Sequence, residues 1–449
     1  MNQSSQEINH GHENSIPMIT YPSVPQWMLI LFCGYVVIWY LQIGYRIKVL
    51  GSIRFEFIYA AVLAGITIFS GGLARVKTPI LKYVILLFLS IVISAIFSYD
   101  PTKSWTVFID RVVKFSFMFF FISAFVRSPK HLAFFLAAFL LACLKMGQEG
   151  FVGKITGSML WENQGVMRLH GVTPLYEHPN SYAGMALGTI PFIYYLIPLV
   201  PKWIKAVLYV GIVFALNIII FTGSRTGYLA LIVGLAFIFY RSKFKKKFIF
   251  WAIIFGFVSL PFIPQDYILR FTSIFSGQDK EGHSIDKRKE ILKDAWQIFV
   301  DHPLGVGVAA FPYVRYKTYG RFQDTHNLYL EVATNLGVQG LIIFLAFVVS
   351  MLKLLNSIAR SAEKQMAELS VSQQLSGGRG VQGHLADLRL LYAASSATIL
   401  FLVIRLALGL FGMDLYEIYW WFALGLTTAL YHINNISQQI TAAYTTAQG

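Results

Sequence analysis

The sequence predicts an all-α integral membrane protein of about 12 transmembrane helices, with a large helical segment outside the bilayer between the ninth and tenth. Three observations predict it. Of the 449 residues, 56% are hydrophobic and only 13% charged, far from the composition of a soluble enzyme. Apolar runs near the roughly 20 residues that a helix needs to cross a bilayer recur along the chain. Those runs are continuous and do not alternate at the roughly ten-residue scale of a barrel strand, so helices are the spanning element.

In chain order, residues 1–24 are polar, hold no Lys or Arg and lack a small-residue cleavage pattern, so they read as a disordered cytoplasmic tail and not as a signal peptide. His10 and His12 within it are too few for a metal site. Helices 1–9 occupy 25–263, with spans at 25–43, 55–74, 79–98, 107–126, 131–150, 181–200, 203–221, 225–240 and 248–263 and an outer loop at 151–180. The large outer segment is 264–327. Helices 10–12 occupy 328–432, with spans at 328–355, 388–410 and 415–432, and a Ser-, Gln- and Gly-rich stretch makes 356–387 read as a flexible cytoplasmic loop. Residues 433–449 form a second cytoplasmic tail.

Lys and Arg in short loops set the orientation. Arg241, Lys243, Lys245, Lys246 and Lys247, supported by Arg75, Lys77, Lys82, Arg127 and Lys130, mark the cytoplasmic side and leave 151–180 and 264–327 outside. Arg46, Lys48 and Arg54 in the first outer loop oppose this and are outvoted. The net charge of +15, from 37 basic and 22 acidic residues, therefore sits in loops between apolar runs, and nucleic acid is excluded as a partner. Cys33 and Cys143 both fall inside apolar runs and read as small buried hydrophobes.

Ionisable side chains inside a bilayer are costly unless they pair or line a wet cavity, so each marks a candidate site. Asp110, Arg111, Lys114, Lys145, Glu149, Arg225, Arg405, Asp414 and Glu417 all fall toward the outer ends of their spans. A transporter would place such groups near the midplane and show related halves, and no internal repeat is evident.

Three segments repay a closer look. In HSIDKRKEILKDAWQIFVDHP, Ile291, Leu292, Ala295, Trp296 and Phe299 keep a helical period, while Lys287, Lys289, Glu290, Lys293 and Asp294 project elsewhere. Leu292, Ala295 and Phe299 fall within roughly 40° of Arg288, so this one guanidinium is expected to aim inward. Its fork suits phosphate oxygens, although a stem packed on the membrane with its head among headgroups is the competing reading. In DTHNLYLEVATNLGVQG, His326, Leu330, Ala333, Gly337 and Gly340 share one helix face, and the small residues predict close packing of a second helix below the histidine. A hydrogen-bonding and a catalytic His326 fit equally well there. In FTGSRTGYLAL, Arg225 starts a helix whose unpaired N–H groups favour an anion. The outer loop adds Arg168, His170, Glu177, His178 and Asn180, with YEHPNSYA as a turn into the sixth span. No nucleotide-binding loop, Ser-His-Asp pattern or clustered metal ligands accompany them, so neither metal nor cofactor is expected.

At these residues the sequence resembles the O-antigen ligase and polymerase superfamily of bacterial envelope proteins. The strongest match is His326-Asn327, nine residues, then Gly337, two residues and Gly340; SRTGYLAL, EHPNSYA and the segment from Arg288 through Trp296 to HPLGVG support it. The resemblance covers about 176–344 and implies a metal-independent, inverting glycosyltransferase of the bacterial inner membrane with a periplasmic site. Its donor would be a glycan on undecaprenyl diphosphate and its acceptor lipid A-core or a comparable glycolipid or glycan. It further implies that Arg225 and Arg288 hold the diphosphate and that His326 acts on the acceptor hydroxyl or the leaving group. Asn327, Arg168, Arg111, Lys114, His178 and Asn180 are the expected substrate-binding residues, and Glu177, Glu331 and Glu417 are alternative partners for the His326 ring. A polymerase joining lipid-linked repeat units is the alternative within the superfamily; a protein-acceptor ligase and, from another class, a membrane transporter follow.

Overall fold

The computed structural model describes residues 19–446 apart from 164, 243, 260, 262, 277–283 and 377–378. Most of the expected tail, with His10 and His12, lies outside the described residues. The part that is described is not a loose tail, because Val24 is buried and Tyr21 packs on the core.

The chain opens with α1 (Gln26–Leu41), two short turns α2 (Ile43–Arg46) and α3 (Lys48–Ser52), then α4 (Phe55–Phe69) and α5 (Leu81–Ile96). Helix α6 (Pro101–Val107) continues through a π-helical turn (Phe108–Val113) into α7 (Lys114–Phe125), followed by α8 (Pro129–Thr156). A hairpin of β1 (Leu160–Asn163) and β2 (Val166–Leu169) precedes α9 (Pro179–Leu196), α10 (Lys202–Phe221), α11 (Arg225–Arg241) and α12 (Lys245–Ser259). Three helices, α13 (Gln265–Ser276), α14 (Ser284–Asp301) and α15 (Phe311–Tyr319), lead to α16 (Leu328–Ser376), α17 (Arg379–Leu408) and α18 (Ile418–Thr446).

Each of the twelve apolar runs coincides with a helix, and among the described residues five helices are long and apolar enough to cross a membrane. The protein is a multi-pass, predominantly helical membrane protein. Helix starts follow local chemistry. Ser128 accepts a hydrogen bond from the His131 amide at 3.2 Å with Pro129 behind it, and Gly157 at φ 74° closes the same helix. Helix α18 is the centre of the bundle: every residue from Ile418 to Leu430 is buried, as a helix apolar on all sides requires. Phe422 meets Phe139 of α8, Phe192 of α9 and Phe401 of α17 at centroid distances of 5.0, 5.9 and 5.6 Å.

The structure departs from the sequence reading in four places. The expected outer loop at 151–180 holds a short antiparallel hairpin with Trp161 opposite Arg168, closed at Gly165 with φ 70°, within an otherwise helical fold. The expected loop at 356–387 is helical over all its described residues. Ile358, Ala362 and Leu369 bury one face of the α16 extension, and Gln365 between them donates to Ser361 and Asn434 and accepts from Ser437 and Thr441, filling its amide's capacity. Tertiary burial here overrides a linker-like composition.

The third departure concerns α16, which is broken at Gly337 (φ 74°, ψ −175°), so His326, Leu330, Ala333, Gly337 and Gly340 do not share one continuous face. At Gly337 it is a loop that approaches, whereas at Gly340 the neighbour is a helix, with Ser90 of α5 3.3 Å from where a Cβ would stand. Val306 N donates to Thr334 O at 2.8 Å, Gly307 N to Asn335 O at 3.0 Å and Val338 N to Pro303 O at 2.9 Å. The HPLGVG turn thus takes up the backbone groups that the break releases.

Fourth, the buried face of α14 is rotated from the predicted stripe. Ile291, Asp294, Ala295 and Ile298 are buried, whereas Leu292 and Trp296 are exposed. Asp294, expected to project outward, pairs at 2.9 Å with Arg315, which is 2% exposed. A carboxylate buried with its partner supplied is permitted where an unpaired one is not.

Candidate active site

One end of the bundle holds a cavity of about 650 Å³ into which six separate pieces of chain send cations. Arg111 comes from the π-helical turn, Arg168 from β2, Arg225 from the first position of α11 and Arg270 from α13. Lys287 and Arg288 come from α14, and Arg405 from the last turn of α17. Asp414 and Glu417, on the turn between α17 and α18, are the two carboxylates of the lining, and His178, Asn180, Gln323 and His326 complete its polar wall.

Local structure aims these groups. Arg168 is 3% exposed; its Nε donates to Thr222 O at 2.7 Å and its Nη2 to Asn180 Oδ1 at 2.9 Å, which locks the hairpin onto the α9 start and the α10–α11 turn. Arg270 Nε donates to Gly223 O at 2.6 Å. Gly223 has φ 56°, and a Cβ there would stand 3.2 Å from the Arg270 side chain, so the glycine before Arg225 gives both the turn and the room. Ser224 then caps α11 by accepting from Gly227 N at 3.1 Å, and the helix presents Arg225 and its positive dipole end to the cavity.

His326 sits in the left-handed region (φ 48°) directly before α16, a conformation that surrounding contacts must hold. They do so on both sides of the next two residues. Asn327 Nδ2 donates to Leu410 O and its Oδ1 accepts from Leu330 N, both at 3.0 Å, and Leu328 N donates to Gly409 O at 2.7 Å. The α16 start is thereby stapled to the turn that carries Asp414 and Glu417.

Of the sequence-selected residues, Arg225, Arg288, His326, Arg168, Arg111, His178 and Asn180 line this one cavity. Asn327 does not: its amide caps α16. Lys114 is also outside the lining, exposed and ion-paired with Asp110 one turn back. Among the three carboxylates considered for His326, Glu417 alone lines the cavity, where it pairs with Arg111 at 2.5 Å; Glu331 accepts from Leu415 N at 3.2 Å. An amide, Gln323 Nε2, stands 3.5 Å from His326 Nε2.

Arg270, Lys287 and Gln323 line the cavity without being expected there, and Arg405 and Asp414, marked by their depth alone, join them. Arg405, Asp414 and Glu417 carried a signal in their common depth. Arg270 carried none that a sequence shows, because its role depends on the Gly223 turn 47 residues away.

The electrostatics follow from crowding. Burial first, then Arg270, Arg225 and Arg288, lower Arg168 to about 9, still charged at neutral pH. Burial, then Arg288 and Arg315, lower the pKa of His326; burial, then Arg168 and His326, lower that of His178. Burial raises Asp414 against the opposing pull of Arg405. A pocket in which like charges depress one another is set up for an anion that relieves the repulsion. Inorganic pyrophosphate is therefore expected to raise the melting temperature of the solubilised protein at constant ionic strength, by about 2.7 kcal/mol of stability at a hundredfold excess over its dissociation constant. Scanning calorimetry with chloride as control measures it.

The fold and site define a helical membrane protein with a cavity lined by cations at one end of its bundle. Residues 210–345, which hold Arg225, Arg270, Lys287, Arg288, His326 and Gly337, match the family model described as O-antigen ligase, so this stretch carries the domain of the O-antigen ligase and polymerase superfamily. No curated protein matches the chain.

Proposed function

We propose that the protein is an integral-membrane glycosyltransferase that moves a glycan from undecaprenyl diphosphate to an acceptor such as lipid A-core, at the periplasmic face of the bacterial inner membrane. The observation that carries this reading is the convergence of Arg168, Arg225, Arg270, Arg288 and Arg405 with His326 on one cavity. The orientation rests on the basic loops. Arg241 ends the helix that Arg225 begins, and Arg127 precedes the helix whose far end leads to the Arg168 hairpin, so cation-rich loops lie opposite the cavity. Arg46, which argued for the reverse, is neutralised by Glu149 through contacts of 2.6 and 2.8 Å. Both termini are then cytoplasmic and 264–327 periplasmic.

In the reaction, the acceptor oxygen forms a bond to the anomeric carbon as the carbon–oxygen bond to diphosphate breaks, from the opposite face, with inversion. The electron pair leaves with the diphosphate, and fixed guanidiniums in a site of low dielectric stabilise it as charge grows. These cations supply what a metal would supply elsewhere, so the reading is metal-independent. His326, kept neutral by burial and by Arg288, accepts the hydroxyl proton.

Because that pKa is lowered, the neutral imidazole persists to more acidic pH than an ordinary histidine allows. The transfer rate is expected to stay level as pH falls through about 6.5 and to decline only below it. A pH–rate profile declining from higher pH would contradict the assignment. Loss of the gene distinguishes the functional alternatives: a ligase leaves long glycan on undecaprenyl diphosphate with bare acceptor, and a polymerase leaves acceptor bearing a single unit. A transporter would form no covalent product.

A further inference from the structure

Helix α14 turns two faces away from the cavity. One, with Ala295 and Ile298, is buried against Val306, Ala310, Phe311 and Val314. The other is apolar and uncovered: Leu292 is 39%, Trp296 58%, Val300 52% and, just past the helix end, Leu304 75% exposed. The spacing of four residues puts the first three along one stripe of the helix.

Two further observations say what covers it. Leu304 is not a stray surface residue, because its backbone lies against the Gly337 break of α16, where an added Cβ would come within 2.4 Å of Leu304 C. Immediately beyond that break, α16 exposes Val338, Ile342, Leu345 and Val349, the flank of a helix long and apolar enough to span. The uncovered edge of α14 therefore leads through Leu304 to the exposed apolar flank of α16. The charges are graded along the same edge. Exposed Lys289 and Lys293 flank Leu292 toward the start of the helix, while Val300 and Leu304 follow Trp296 toward its end. Lysines over apolar residues, with a tryptophan at the change, are the pattern of a helix lying in the headgroup–acyl boundary.

We propose that α14 is a membrane-docking helix, tilted so that Trp296, Val300 and Leu304 enter the acyl region of the cavity-side leaflet while Lys289 and Lys293 contact anionic headgroups. This goes beyond glycan transfer and holds whether or not that reading does. Its consequence is that Arg288, on the same helix, faces the cavity at headgroup depth, within lateral reach of any lipid-borne anion.

The test is depth measurement by spin labelling in full-length protein with Cys33→Ala and Cys143→Ala, reconstituted in phosphatidylethanolamine–phosphatidylglycerol vesicles. Labels are placed at Trp296→Cys, Val300→Cys, Leu304→Cys and, on the polar side, Gln297→Cys, and power saturation is compared with oxygen and with a water-soluble nickel chelate. Oxygen collisions should exceed nickel collisions at 296, 300 and 304, rising along that series, and the order should invert at 297. Nickel-dominated collisions at all four positions would overturn the proposal in favour of a solvent-facing helix. Exclusion of both reagents at 296 and 300 would overturn it in favour of a protein contact, a second copy included. All these side chains are exposed, so the labelled proteins should fold; an unchanged melting temperature relative to the cysteine-free protein serves as the control that each has done so.

Discussion

Arg288→Ala is expected to lower glycan transfer by about 10²–10³-fold, the scale of removing one preorganised donor from a developing oxyanion. The effect should fall mainly on the turnover number, because the interaction strengthens as charge moves onto the diphosphate. Geometry supports placing the largest loss here. The Arg288 guanidinium lines the cavity with its Cζ 5.8 Å from the Phe411 ring, a contact that orients it, and its charge is one cause of the lowered His326 pKa. Arg288→Lys should recover only part of the rate, since it keeps the charge and loses the planar fork. Steady-state kinetics on reconstituted protein measure both variants, and full activity in Arg288→Ala would refute the role.

Gly337→Ala should damage the fold severely. The backbone there lies in a region open essentially to glycine alone, worth about 1–3 kcal/mol of strain for any other residue. The new Cβ would also stand 2.4 Å from Leu304 C and 2.5 Å from Leu304 O, and backbone cannot rotate aside as a side chain can. Gly305, with φ 95°, is the matching half of the joint, since a Cβ on it would come within 2.6 Å of Gly337 N. Separating the two strands would release the Val306–Thr334, Gly307–Asn335 and Val338–Pro303 hydrogen bonds and loosen the first turns of α16 that carry His326. A combined destabilisation above about 3 kcal/mol is expected, read as a fall in melting temperature with loss of transfer. An Ala variant with unchanged stability would show that the break is not required.

These two residues also show what the sequence did and did not reveal. Helix positions were legible because the apolar runs are long and continuous, and the conspicuous cations were legible because charge at the end of such a run is rare enough to ask for a reason. Arg225 stands out in that way, whereas Arg288 stands out through the periodicity of its own helix and His326 through the segment that enters the tenth apolar run. Gly340 does meet a helix, with Ser90 of α5 beside it, but Gly337 does not, because nothing in a string of letters distinguishes a small residue in helix packing from a glycine at positive φ receiving a loop. Asp294 was misplaced for a related reason: its partner Arg315 lies 21 residues on, across a turn between two helices. The hairpin at 160–169 was too short to show periodicity, and the helical extension past 356 depends on what α17 and α18 place beside Ile358, Ala362 and Leu369. Periodicity reports the local chain, while partners come from topology.

The most direct measurement is transfer by purified protein reconstituted with a lipid-linked glycan donor and candidate acceptors, with products read by mass spectrometry and Arg225→Ala, Arg288→Ala and His326→Ala run in parallel. A glycan–acceptor conjugate and released undecaprenyl diphosphate in equal amounts from the unmodified protein, and neither from the three variants, is the predicted result. Equal conjugate from all four proteins, or none from the unmodified one with any acceptor, would contradict a cavity of guanidiniums and one imidazole acting on a glycosyl diphosphate.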